Sequence, residues 1–157
     1  MGSRSYKDLV VWQKSMDLAE SVYCCTRSFP GEEMYGITSQ MRRAVASIPA
    51  NIAEGQARNN SGEFRQFLGI AMGSLVELET WVVLCVRIGY LDSTKSETLL
   101  ADCEEIQRLL NGLKKSLKPK DSITKTSRVK RATRNWKLET ENWKLFLARS
   151  AQLKTKN

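Results

Sequence analysis

Two adjacent amphipathic patterns between residues 40 and 80 limit what this chain can fold into more than any other feature. In each pattern, apolar residues recur at steps of three and four, a spacing that places them on one face of an α-helix. The link between the patterns, residues 54–62, is short and rich in Gly, Asn and Ser, which interrupt helices. An antiparallel helical hairpin is therefore predicted. Its two stripes are Met41, Ala44, Ile48 and Ile52, and then Phe64, Leu68, Ala71, Leu75 and Leu78.

A further amphipathic segment lies on each side of this hairpin. The first covers residues 7–28, and its predicted core stripe is Leu9, Trp12, Met16, Ala19, Val22 and Tyr23. The last begins near residue 93, and its stripe is Leu99, Cys103, Ile106, Leu110, Leu113 and Leu117. No segment alternates as a half-buried strand would. Four amphipathic segments with short links predict an all-α fold, an antiparallel up-down-up-down four-helix bundle over residues 1–118.

Capping residues and turn formers mark the predicted ends of these helices. Thr38 or Ser39 suits the start of the second helix, and Asn60 with Glu63 suits the start of the third. Thr94 and Glu97 form a similar pair at the fourth. Gly89 suits the C-terminal cap of the third helix.

Three small or cyclic residues bear on how the central hairpin packs. Pro49 lies inside the second helix and predicts a kink or a brief interruption there. Asn51 is expected to bond backbone carbonyls that the proline leaves free. Gly69 and Gly73 are four residues apart in the third helix, and they predict close packing of another helix.

The net charge of +8 is concentrated in the last quarter of the chain. Residues 1–118 hold 14 Lys and Arg against 14 Asp and Glu, whereas residues 119–157 hold 11 against 3. This basic extension is poor in large apolar residues up to residue 134, which favours partial disorder. The sequence Asn-Trp-Lys-Leu then occurs twice, at 135–138 and 142–145. This repeat is compatible with a short amphipathic helix in that part of the extension. Such basic segments commonly contact phosphate backbones or acidic surfaces.

The hairpin also carries a family resemblance. Its motifs are Gln-Met-Arg-Arg-Ala at 40–44, Ser-Ile-Pro-Ala-Asn-Ile-Ala-Glu-Gly at 47–55 and Phe-Leu-Gly-Ile-Ala-Met-Gly-Ser-Leu-Val-Glu-Leu-Glu-Thr at 67–80. Together with Tyr-Gly-Ile-Thr at 35–38 and Gly-Tyr-Leu at 89–91, they closely resemble the four-helix-bundle proteins encoded in 23S rRNA intervening sequences. That resemblance implies a ring of five subunits and nucleic-acid binding, with no established catalytic activity. Accessory proteins of diversity-generating retroelements, which assist a reverse transcriptase, look like relatives.

The candidate nucleic-acid-binding residues are basic. Arginine suits this role because its guanidinium can hold phosphate through two hydrogen bonds. The alternative is that those in the hairpin pair with Glu54, Glu77 or Glu79 and stabilise the fold. The candidates are Arg42, Arg43, Arg58 and Arg65 in the hairpin, and Lys125, Arg128, Lys130, Arg131 and Arg134 in the extension.

Several function classes are disfavoured by what the chain lacks. It has no histidine, the commonest general base near neutral pH, and no P-loop, dinucleotide or metal motif. We therefore predict a protein that is not an enzyme and has no cofactor and no metal. Its four cysteines, Cys24, Cys25, Cys85 and Cys103, have no zinc-site spacing and are expected as buried free thiols. No secretory signal and no uninterrupted apolar run of membrane-spanning length occurs, so a cytoplasmic protein without a membrane contact is expected.

Two functions remain open on these grounds. The first is an oligomeric protein that binds RNA or DNA through basic surface. The second is a protein–protein scaffold, such as an accessory subunit of a reverse transcriptase. Self-association is expected because apolar residues also lie off the main stripes. These are Val10, Leu18, Val83 and Val86. The resemblance implies that the assembly is a pentamer.

Overall fold

The computed structural model describes residues 5–58 and 60–117, and within them the chain is helical, with no strand. Helix α1 spans Val10–Cys25, α2 spans Ile37–Ala57, α3 spans Ser61–Arg87 and α4 spans Ser93–Ser116. Short 3₁₀ turns lie at Tyr6–Asp8, Thr26–Ser28 and Gly31–Met34. The all-α prediction is confirmed for this part of the chain. The predicted extension, 119–157, lies outside the described residues.

Each helix packs beside its neighbours along the chain, and α1 also contacts α4, which closes the bundle. The α2–α3 contact is the most extensive, as expected from a link of only a few residues. The direction of the chain alternates, so two ends can be distinguished. At the α2–α3 end, α1 and α3 begin and α2 and α4 end. At the opposite end, α1 and α3 end and α2 and α4 begin.

The core follows the predicted stripes of α2, α3 and α4. All nine hairpin positions are buried, and Val82 and Cys85 extend the α3 stripe toward its C-terminus. In α4, Leu99, Cys103, Ile106 and Leu110 are buried, and Leu113 and Leu117 pack partly buried against the core. The hydrophobic effect, acting on these three stripes and on the buried face of α1, is the main force that holds the bundle together.

The predicted stripe of α1 is wrong by roughly a quarter of a turn. The buried face consists of Val11, Ser15, Leu18 and Val22, whereas Met16 and Tyr23 are 44% exposed. Ser15 is the reason that the pattern misleads, because a serine does not look like a core residue. Its hydroxyl donates a 2.7 Å hydrogen bond to the carbonyl of Val11, so it is buried without losing a partner. Leu18, expected off the stripe, is a core residue.

The helix caps are partly those predicted. Asn60 caps α3 by accepting hydrogen bonds from the backbone N–H groups of Gly62 and Glu63, and Gly89 follows α3 with a φ of +84°. The other two starts differ from the prediction. Asp92, not Thr94, caps α4 by accepting from the N–H of Lys95 at 2.8 Å.

Helix α2 begins without a capping side chain at Thr38 or Ser39. Instead, the Glu33 carboxylate in the preceding 3₁₀ turn accepts a 3.1 Å hydrogen bond from the N–H of Ile37, through Oε2. Its other oxygen, Oε1, accepts from the Tyr90 hydroxyl at 3.3 Å. Glu33 thus joins the α1–α2 link to the α3–α4 turn at the opposite end of the bundle. A Cβ at Gly36 would overlap the Glu33 carboxylate, so a larger residue there would require that side chain to move.

Helix α2 is continuous through Pro49, so the interruption expected there is absent. As expected, the Asn51 side chain bonds a backbone carbonyl. Its Nδ2 donates a 2.7 Å hydrogen bond to the carbonyl of Ser47. Its Nδ2 also lies 3.0 Å from Ser47 Oγ, and Ser74 Oγ of α3 lies 2.9 Å from the same atom. This polar network links α2 to α3 where the proline removes one backbone hydrogen bond.

The glycine that permits close helix packing is Gly55, not the predicted pair in α3. A Cβ at Gly55 would lie 2.7 Å from both Phe64 and Phe67, so α2 and α3 are in close contact there. At Gly73, by contrast, nothing in the described chain lies within 4 Å of the Cβ position. At Gly69 the neighbour is the Lys114 ammonium and not a helix backbone.

Candidate nucleic-acid interface

The four hairpin arginines do not form a single surface. Arg42 and Arg43 lie in the first half of α2, whereas Arg58 directly follows α2 and Arg65 lies near the start of α3. Sixteen residues separate Arg42 from Arg58, which corresponds to about 24 Å along a helix. The pairs therefore lie toward opposite ends of the bundle.

Arg42 stabilises the contact between α1 and α2. Its Nε donates a 2.9 Å hydrogen bond to Thr26 Oγ1, and Thr26 is buried at the end of α1. The guanidinium also lies over the ring of Tyr23, 5.0 Å from its centroid, in a cation–π contact. These contacts hold the side chain against its own bundle, although neither partner is one of the carboxylates, Glu54, Glu77 and Glu79, with which pairing was the alternative.

Arg43 and Arg58 each contact a carboxylate of the hairpin. Arg43 donates to Gln40 Oε1 at 2.6 Å and lies 3.9 Å from Glu77 of α3. Arg58 forms a closer pair, 2.7 Å from Glu54, and its guanidinium lies over the Phe67 ring. Exposed pairs of this kind contribute little to stability, but each carboxylate offsets the charge that a phosphate would bind.

Arg65 differs from the other three. Its side chain is half-buried, and its Nε is shielded from solvent without a hydrogen-bond partner. No carboxylate within residues 5–58 and 60–117 forms an ion pair with it. It lies on α3 one turn before Gly69, on the same helix face.

Lys114 and Lys115, in the last turn of α4, lie at the same end of the bundle as Arg65. The Nζ of Lys114 is 3.4 Å from the position of a Gly69 Cβ, one turn from Arg65. No described carboxylate pairs with either lysine. We call Arg65, Lys114 and Lys115 the basic group. Its lysines were not among the predicted residues, because Lys114 reaches the face of α3 that carries Arg65 only through the register of α4 against α3.

The five candidate residues of the extension, Lys125, Arg128, Lys130, Arg131 and Arg134, lie outside the described residues. In sequence the extension directly follows α4, whose last turn contributes Lys114 and Lys115.

The middle of the α3–α4 contact is acidic. Burial and the negative charge of Glu104 on α4 raise the pKa of Glu79 on α3 to about 7. Glu79 lies ten residues after Gly69 in α3, and Glu104 lies ten residues before Lys114 in α4. Because the two helices are antiparallel, these opposite steps keep the same register at both places. The contact therefore changes from carboxylates in its middle to cations at the α2–α3 end.

The cysteines are free thiols and only partly match the prediction that all are buried. Cys85 and Cys103 are in the core, Cys25 is half-buried and Cys24 is exposed. Burial raises the pKa of Cys85 to about 12 and that of Cys103 well above its usual value, so both remain protonated thiols. No group of three or more possible metal ligands occurs among the described residues.

Comparison with known proteins shows which family the chain belongs to. Residues 7–112, more than half of the chain, match the family described as 23S rRNA-intervening sequence protein. The chain belongs to this family. The resemblance inferred from the hairpin motifs is thereby confirmed.

A solved structure shares the fold of this intervening-sequence protein. It is a protein of unknown function from the S23 ribosomal protein family of Bacteroides thetaiotaomicron, 29% identical, with a TM-score of 0.63. The alignment covers 68% of this chain and 99% of the other. Comparison with curated proteins finds no match. Family and fold are therefore established, and neither relative states what the bundle binds.

Proposed function

We propose that this intervening-sequence protein is an oligomeric, non-enzymatic protein that binds RNA or DNA through basic surface. The observation that carries the nucleic-acid part is the basic group at the α2–α3 end, where cations lie without described carboxylate partners. The extension that follows α4 in sequence supplies eight further net positive charges. Clustered cations of this kind favour polyanions, because a bound phosphate releases its condensed counterions.

The proposal that copies of the chain associate rests on the outer face of α3. Ile70 is 52% and Val76 is 40% exposed, and Gly73 lies between them with open space over it. An 18-residue window of α3 has a mean hydropathy of 1.6, and only 28% of it is buried in the single chain. Exposed apolar surface on one helix commonly marks a protein interface. A ring of five subunits is the assembly that the family resemblance implies.

The same window gives α3 the length and composition of a membrane-spanning helix, the one such helix among those described. In this fold α3 packs along α2 and α4 and buries seven side chains in the bundle core. We infer that the apolar outer face of α3 packs against a second protein surface, so assembly is the function we propose for it.

Light scattering with and without a structured RNA tests both parts of the proposal. The full chain should have a mass of several subunits at micromolar concentration, and its RNA binding should weaken steeply as salt rises. Val76→Asp should reduce the mass, because a carboxylate on the outer face of α3 would have to be buried on association. Ala101→Asp, at an exposed position of α4, is the matched control. A monomer mass for the unaltered chain, or RNA retention that does not respond to salt, would refute the corresponding part.

A second candidate function is a scaffold for a partner protein, such as a reverse transcriptase. It is favoured by exposed apolar side chains at the opposite end of the bundle. Tyr35 is 94%, Met34 49% and Ile88 45% exposed, and the Tyr90–Glu33 hydrogen bond brings their segments together. Tyr35→Ser should abolish capture of a reverse transcriptase from the native host if this function is correct, and should leave salt-sensitive RNA binding unchanged.

A further inference from the structure

The basic group has a geometry that goes beyond a general positive surface. Arg65 and the Gly69 backbone are four residues apart on one face of α3, a rise of about 6 Å. The Lys114 ammonium lies over Gly69, 3.4 Å from where a Cβ would be. The Lys114 ammonium of α4 therefore lies one turn of α3 away from the residue that carries the Arg65 guanidinium.

This arrangement leaves a buried donor and nearby positive charge without a described carboxylate partner. Arg65 Nε is shielded from water and has no acceptor, and a buried donor without a partner destabilises the fold. Arg65 and Lys114 are both positively charged, and no described carboxylate forms an ion pair with either. Both the donor and the charges would be satisfied by a ligand with a negative charge and several acceptor oxygens.

The end of α4 explains the lysines only in part. Cations are stabilised near the C-terminus of a helix by its unpaired carbonyl groups, which suits Lys114 and Lys115. The same effect does not apply to Arg65, which is the fifth residue of α3 and lies far from the C-terminus of that helix. The position of Arg65 therefore needs a different explanation.

We propose that Arg65 and Lys114, with Lys115 beside them, bind a phosphate group at the α2–α3 end of the bundle. The inference rests on the proposed function and names where on the bundle a phosphodiester is held. The guanidinium can present two parallel N–H donors to the phosphate, and the ammonium adds a compact charge. The Lys114 ammonium lies close to the α3 backbone at Gly69. No base edge needs to be contacted, so the site is independent of nucleotide sequence.

The test measures binding of a fluorescently labelled single-stranded RNA to the full chain over a range of salt concentrations. The variants are Arg65→Gln, Lys114→Gln and Arg65→Lys. Lys95→Gln is the matched control, because it removes one positive charge at the opposite end, where Lys95 pairs with Asp92 at 3.2 Å. Inorganic pyrophosphate is added as a competitor to separate a free phosphate from a phosphodiester. Helix content and unfolding midpoints are measured for every variant.

Arg65→Gln and Lys114→Gln should each weaken RNA binding about tenfold at low salt. The slope of log affinity against log salt should become shallower by about 0.7, the loss of one single-strand phosphate contact. Arg65→Lys should lose less affinity, and Lys95→Gln should behave like the unaltered chain. Competition by pyrophosphate that disappears in Arg65→Gln also supports the site and identifies it as open to free phosphate.

The failures of the two proposals can be told apart. If the chain binds RNA and both glutamine variants match Lys95→Gln while remaining folded, the phosphate site is wrong and the proposed function stands. If pyrophosphate binds in an Arg65-dependent way but RNA does not, the site stands and the nucleic-acid function fails. If the chain binds neither ligand, both are refuted.

Discussion

The carboxylate of Glu79 should make the stability of this bundle depend on pH in a narrow window. Burial beside the charged Glu104 raises its pKa from an ordinary value of 4.5 to about 7. Between those values the folded chain holds a proton that the unfolded chain has released, so stability falls as pH rises from about 4.5 to 7 and is level above that. A tenfold change in an ionisation constant corresponds to about 1.4 kcal/mol, so the loss at pH 8 is at most about 3 kcal/mol, and partial exposure of the carboxylate reduces it.

Glu79→Gln should remove this loss, because glutamine keeps the size and hydrogen bonding of a protonated glutamate and cannot ionise. The variant should match the unaltered chain near pH 4.5 and exceed its free energy of unfolding by up to about 3 kcal/mol at pH 8. Glu104→Gln should move the transition to lower pH, because it removes the neighbouring charge.

Urea unfolding at fixed protein concentration, from pH 4.5 to 8, measures these differences. Glu97→Gln, at an exposed position of α4, is the matched control and should leave the pH dependence unchanged. The reasoning would be refuted by a constant difference between Glu79→Gln and the unaltered chain across the whole range. Such a result would mean that Glu79 ionises equally easily in the folded and the unfolded chain.

Three further sets of substitutions test the packing by urea unfolding. Leu18→Ala should lower the free energy of unfolding by about 3 kcal/mol, whereas Met16→Ala, on the exposed side of α1, should lower it by less than about 1 kcal/mol. Equal losses would support the α1 stripe expected from the sequence. Gly55→Ala should destabilise by about 1–3 kcal/mol because its methyl group overlaps Phe64 and Phe67, and Gly73→Ala, with open space over it, should stabilise or be neutral. Asn60→Ala should cost about 1 kcal/mol by removing the cap of α3, while Thr94→Ala should have little effect if Asp92 is the cap of α4.

The sequence predicts those parts of the fold in which the type of each residue alone indicates whether it is buried. In α2, α3 and α4, large apolar residues occupy nearly every inward position, so the period and the phase both follow from the pattern. In α1 the inward position at Ser15 is polar, and its intrahelical hydrogen bond to Val11 becomes visible only when the helix is built. The apolar pattern therefore predicts the helix itself correctly but places its buried face wrongly.

The basic surface is harder to predict because it depends on pairs of residues. Arg43 and Arg58 are candidates for their charge alone, but their carboxylate contacts depend on side-chain geometry and helix packing. Lys114 is absent from the predicted set, because its relation to Arg65 depends on the register of two antiparallel helices. A basic last turn on α4 is the available signal. The glycines show the same limit, since a small residue permits a close approach and does not say which helix makes it.

Glu33 gives the opposite end of the bundle an unusual connection. One carboxylate holds the first turn of α2 and the Tyr90 hydroxyl, so two loops that are more than fifty residues apart share one anchor. Their local opening should then be a single event and not two independent ones. Amide hydrogens at Ile37 and around Tyr90 should exchange with solvent at linked rates, and whatever docks on this end would encounter both loops either ordered together or released together.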